Sequence, residues 1–141
     1  MEVLKLMVDY AIFGILGFMS VLSLAYALER WFFYHRLDVA AYSVAETLEN
    51  DLTKNLTALS IISSNAPYIG LLGTVIGIMI TFYDMGQAGN IDSKVILVGL
   101  SLALKATAFG LVVAIPSLMI YTACLRQCDV LMAKWKANHA S

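Results

Sequence analysis

The sequence predicts an all-α integral membrane protein of three transmembrane helices with helical extensions on one side of the bilayer. Two observations carry that prediction. Of 141 residues, 60% are hydrophobic and only 13% are charged, whereas soluble domains sit near ~45–50% and ~25%. The charges are also spaced so as to leave long apolar gaps, and an ionised side chain in hydrocarbon costs at least ~2.5–3.5 kcal/mol. The net charge of -1 leaves too little basic surface for a nucleic-acid partner. Two Cys and two His are poor material for a disulfide framework or a four-ligand metal site.

The first gap, between Asp9 and Glu29, gives TM1 at about 10–28. Ala25, Tyr26 and Ala27 have the small-x-small form of a signal-peptide cleavage site. Glu2 and Asp9 spoil the basic leader, so TM1 reads as a retained span. The second gap, between Lys54 and Asp84, gives TM2 at about 66–83, and a turn at 84–94 contains Gly86, Gly89 and Asn90. The third, between Lys94 and Arg126, gives TM3 at about 95–123, with Lys105 as its single charge. Each stretch meets or nearly meets the ~20 residues that cross ~30 Å of hydrocarbon.

The loop at 29–65 places Leu37, Ala41, Val44, Leu48 and Leu52 at helical steps, which predicts an amphipathic helix packing on its own bundle, with a membrane-surface anchor as the alternative. A break is expected at 50–55, with a further helical stretch from Leu56 to Ser64. Loop and tail (124–141) carry Arg30, Arg36, Lys54, Arg126, Lys134 and Lys136, against Lys5 and Lys94 on the other side. That imbalance predicts a cytoplasmic loop and carboxyl terminus and an outward amino terminus. Trp31, Phe32, Phe33 and Tyr34 fall where an interfacial aromatic belt belongs. Cys124 and Cys128, on the cytoplasmic side, are expected to be unpaired and inert.

Inside the spans, Gly70, Gly73, Thr74, Gly77 and Thr81 form one face of TM2. Gly99, Ala103, Ala106, Thr107, Gly110, Ala114 and Ser117 form a comparable stripe on TM3, and Pro116 lies within that helix. Small residues let two backbones approach closely, so Gly70, Gly73, Gly77, Gly110, Ala114 and Pro116 are assigned to helix packing. Thr74 and Thr107 fall at the midpoints of their antiparallel spans, which predicts two hydroxyls at one level near the bilayer centre. Each could instead bond its own helix three or four residues back. The spans hold no Asp, Glu or His, so an acid for proton transfer must come from another chain. Lys105, so close to mid-span, is read either as a strained snorkelling side chain or as one that meets an acidic partner or a lipid headgroup.

The runs Gly70-Leu71-Leu72-Gly73-Thr74-Val75-Ile76-Gly77-Ile78-Met79 and Ala106-Thr107-Ala108-Phe109-Gly110-Leu111-Val112-Val113-Ala114-Ile115-Pro116 resemble the MotA/TolQ/ExbB proton-channel family, most closely its short ExbB-type members. The resemblance covers TM2 and TM3 closely and TM1 by layout. It implies a homo-oligomeric ring, typically a pentamer, in the bacterial inner membrane, around helices of an ExbD-like single-span protein that supplies an Asp. Thr74 and Thr107 match the family's pore threonines. The expected role is a proton-driven motor, not an enzyme, that energises a TonB-like protein for uptake across the outer membrane. A TolQ-like role in envelope maintenance, or a non-conducting scaffold, are the alternatives. No cofactor is expected beyond the coupling proton and bound phospholipid. Where longer relatives carry a Glu five residues before the TM3 threonine, this chain has Leu102. The cytoplasmic loop is also too short for the torque-bearing insertion of MotA.

Overall fold

Three long helices and two short ones account for nearly all of the computed structural model, which describes residues 2–139. The order is α1 (Glu2–Arg36), a 3-10 turn (Val39–Ala41), α2 (Ala45–Thr53), α3 (Leu56–Ala88) and α4 (Ser93–His139). Among the described residues, three helices are long and apolar enough to cross a membrane, and each extends beyond the span predicted for it. A hydrogen-bonded helix is the solution for a single segment in lipid, where no water can satisfy the backbone. The tail after TM3 is simply the continuation of α4.

Local chemistry sets the breaks. Gly89 adopts a left-handed conformation, φ 66°, and its N–H bonds the Met85 carbonyl at 3.1 Å, closing α3. Asp92 opens α4: its carboxylate accepts from the Lys94 N–H at 3.0 Å. Asn55, at φ 69°, separates α2 from α3, using the tolerance of Asn for this region. This lies within the break expected at 50–55. The helical stretch from Leu56 runs straight into TM2 as one helix. Pro67 and Pro116 sit inside α3 and α4. Each lacks a donor for the carbonyl four residues earlier, on Ser63 and Val112.

The amphipathic helix expected from Leu37 onward is shorter than its periodicity implied. Asp38 takes the Ala40 N–H on its side chain at 3.1 Å, so the chain turns there in a 3-10 step instead of continuing as α-helix. Val39 is buried, while Ala41 and Val44 are exposed. Within α2, Leu48 and Leu52 are fully buried.

Two apolar clusters hold the bundle. One, in the membrane, joins Ile12, Leu16 and Met19 of α1 to Ile62 and Ala66 of α3 and Ala106, Val113 and Ala114 of α4. The other, at the loop end, joins Tyr34, Val39, Leu48, Leu52, Leu56 and Leu59 to Cys124, Cys128 and Leu131. α1 runs parallel to α4, and α3 is antiparallel to both.

Candidate proton-pathway site

Glycine positions α3 against α4. A Cβ added to Gly70 would lie 2.6 Å from the Ala106 carbonyl oxygen and 3.1 Å from the Gly110 Cα. One added to Gly110 would lie 2.7 Å from the Ala66 carbonyl oxygen. Neither position has room for a side chain. Gly73 packs against Ala106 and Ile12, Gly77 against Ala103, and Gly99 against the side chain of Thr81. Ala114 is buried in the membrane cluster. Within this chain Pro116 packs against none of these residues, because the 100° turn per residue that brings Ser117 inward carries Pro116 onto the outer face.

This close approach brings Thr74 and Thr107 into direct contact. Their hydroxyls bond each other in a short hydrogen bond. The Thr74 hydroxyl also reaches the Ala103 carbonyl at 2.9 Å and the Gly70 carbonyl at 3.3 Å. Thr74 is buried, and Thr107 is half-buried. A hydroxyl has one proton and two lone pairs. With Thr74 donating to Ala103, Thr107 donates to Thr74 and keeps lone pairs for an outside donor. Thr81, two turns along α3, bonds its own Gly77 carbonyl at 2.9 Å. The back-bond weighed for each threonine is present at Thr74, alongside the stronger bond across to α4.

Sequence reasoning missed two further polar features. Ser23 of α1 and Ser117 of α4 are both buried, their hydroxyls 2.7 Å apart. Ser117 also donates to the Val113 carbonyl at 2.7 Å. A serine amid Val21, Leu22 and Leu24 was the available signal. At the loop end, Arg30 is 1% exposed. Its guanidinium makes a bidentate ion pair with Glu29, lies 4.4 Å from the Phe33 ring centroid, and donates to the Asp51 and Leu52 carbonyls at 2.6 and 3.2 Å. Those carbonyls are in the last turn of α2, where helical partners run out. Leu52 also accepts from the Tyr34 hydroxyl at 2.6 Å and the Cys128 thiol at 3.3 Å.

Asn55 Nδ2 donates to Glu29 at 3.2 Å, Tyr42 donates to the Asp51 carboxylate at 2.6 Å, and Trp135 donates to the Tyr42 carbonyl at 3.0 Å. The Arg30 hydrogen bond holds the Glu29 carboxyl below its usual range. Donation to Asp51 pushes the Tyr42 phenol up. Cys128, expected to be unpaired and inert, also donates into a polar clamp joining α1, α2 and α4. Cys124 and Cys128 are unpaired, as expected.

The profile of the MotA/TolQ/ExbB proton channel family matches residues 24–137. The chain belongs to this family. Similar relatives include a biopolymer transport protein ExbB of Helicobacter pylori (strain J99 / ATCC 700824), 56% identical over 96% of this chain and 94% of that protein. Another, of Aquifex aeolicus (strain VF5), is 46% identical over 99% of this chain and 94% of its own length. A Salmonella typhimurium protein of the same name is 44% identical over 49% of this chain and 28% of that longer protein. Like those relatives in family, the chain is a multi-pass membrane protein of the proton-channel class, and Thr74 and Thr107 fall within the matched region.

Proposed function

We propose that this chain is the ExbB-like ring subunit of a proton-driven motor in the bacterial inner membrane. In this reading its amino terminus is periplasmic and its carboxyl terminus cytoplasmic, as the distribution of Lys and Arg favours. Copies form a ring, typically of five, around the transmembrane helices of an ExbD-like protein bearing an Asp. The motor energises a TonB-like protein for uptake across the outer membrane. The names of the two full-length relatives favour this reading over a TolQ-like one.

The observation that carries the proposal is the hydroxyl pair, between two helices that hold no Asp, Glu or His from Asn55 to Tyr83 and from Val95 to Leu125. The pair ends on the Ala103 carbonyl, which has no proton to pass on, so it acts as a switch and not as a wire. When a guest carboxyl is protonated it donates to Thr107, and Thr107 donates to Thr74. When the carboxyl is ionised it accepts from Thr107, and the pair reverses. The hydroxyls therefore distinguish the two protonation states of the guest, which lets proton uptake and release alter how the guest helix is held. One charge crossing the membrane potential supplies ~2.3 kcal/mol per 100 mV, enough for a modest conformational step.

The test is energised uptake by cells co-expressing the ExbD-like and TonB-like partners. Thr107→Val is expected to assemble and to abolish uptake, while Thr107→Ser retains it. Normal uptake by Thr107→Val, or by Thr74→Ala with Thr107→Ala, would replace the motor with a passive scaffold.

A further inference from the structure

Lys105 is exposed on α4, two residues before Thr107. Its partner can be sought from the register between α1 and α4. Phe13 meets Phe109 edge to face, with centroids 4.9 Å apart. Ile12 and Ala106 both close on Gly73, and Ser23 bonds Ser117. Three contacts along parallel helices fix one alignment. Asp9 stands one turn before Phe13, and Lys105 stands one turn before Phe109. Residues four apart share a face, so the two charges flank the aromatic pair on the same side, at the same level.

The sequence had placed Asp9 at the outer edge of TM1 and Lys105 in the middle of TM3. The alignment puts them at one level. Asp9 is exposed too. Among the described residues the ion pair that closes is Arg30 with Glu29, which leaves both Asp9 and Lys105 open to a partner. Lys5, one turn before Asp9, lines a cavity of about 300 Å³ with Asp84, Lys94 and Thr81, and so has an acid of its own nearby.

We infer that Asp9 and Lys105 of one protomer form an ion pair across α1 and α4 in the membrane. Two opposite charges at one depth in low dielectric attract strongly and remove each other's exposure to hydrocarbon. The four-carbon stem of Lys105 closes the remaining distance by rotamer change. The pair ties α1 to the turn of α4 that carries Thr107. Asp9 and Lys105 are positioning residues; the pairing stands whether or not the motor reading does, and only its effect on proton flux rests on that reading.

The experiment uses the full chain with thermal unfolding in detergent. Asp9→Asn and Lys105→Met are each expected to lower the midpoint. The double variant should lose no more than the worse single one, and the charge swap Asp9→Lys with Lys105→Asp should restore most of the loss. Additive losses, or a swap no better than the neutral double, would overturn the pairing. If the single variants do not fold, recovery of folded protein by the swap decides alone. Co-expression of Asp9→Lys chains with Lys105→Asp chains is expected to give no rescue. Rescue there would place the partners on different protomers and refute a pair within one chain. In vesicles with the partner protein, Lys105→Asp alone should change the pH dependence of proton flux and the swap should return it, which a merely structural contact would not do.

Discussion

Replacing Gly110 by alanine tests the close approach on which the hydroxyl pair depends. The new Cβ would sit 2.7 Å from the Ala66 carbonyl oxygen and 3.1 Å from the Gly70 Cα. Both obstacles are backbone and neither can rotate away, so α3 and α4 must separate. Overpacking of this kind costs ~1–3 kcal/mol. Alanine also gains helix propensity over glycine, ~0.5–1 kcal/mol. Gly17→Ala in α1 supplies the correction, because nothing lies within 4 Å of its added Cβ. The contrast between the two variants isolates the packing cost, ~1–3 kcal/mol against Gly110→Ala. Unfolding of the purified protein in detergent measures it. Separation would also lengthen the 2.9 Å bond from Thr74 to Ala103, so energised uptake should fall together with stability. If Gly110→Ala proved as stable as Gly17→Ala, the two helices could not lie as close as the glycine contacts require.

Three further outcomes follow from the polar contacts. Arg30→Gln strips the Asp51 and Leu52 carbonyls of their guanidinium donor, while Glu29, 41% exposed, passes to water, so the loss is that of charged hydrogen bonds, ~1.5–3 kcal/mol. It should appear as faster proteolysis in the 37–55 segment, and an unchanged cleavage rate would dismiss the clamp. The Glu29 carboxyl titrates below its usual range because of Arg30. Its contribution is therefore complete above the unfolded-state pKa and lost as pH falls through the lower folded value. Stability should be flat near neutrality and decline only in acid, more so in the parent than in Glu29→Gln. Ser23→Ala should cost ~0.6 kcal/mol, the average for a hydrogen bond between membrane helices, since Ser117 keeps its Val113 bond. Combined with Ser117→Ala it should show coupling in a double-mutant cycle.

What was legible in the sequence depended on how locally each force acts. Burial of charge in lipid is paid residue by residue, so the gaps from Tyr10, Asn55 and Val95 marked three spans without knowledge of their neighbours. The stripes of small residues were legible because helical period turns spacing into a face. The short turn at Gly89 forces α3 and α4 antiparallel, so matching depths put Thr74 and Thr107 at one level from numbers alone. No such constraint links α1 to α4, which are far apart in sequence and run parallel. Their register comes from Phe13, Ile12 and Ser23 meeting particular partners. That is why Asp9 and Lys105 seemed to lie at different depths.

The Arg30 clamp was hidden for a different reason. Its acceptors on Asp51 and Leu52 are backbone carbonyls, which every residue carries and no side-chain pattern reveals. Pro116 shows the limit of reading a face from composition: a residue typical of this helix can still point outward when its neighbour Ser117 points in. Side-chain periodicity thus predicts which faces meet when a short turn fixes the direction of two helices. Where only long-range packing fixes it, a charge such as Lys105 cannot be paired until the register is known.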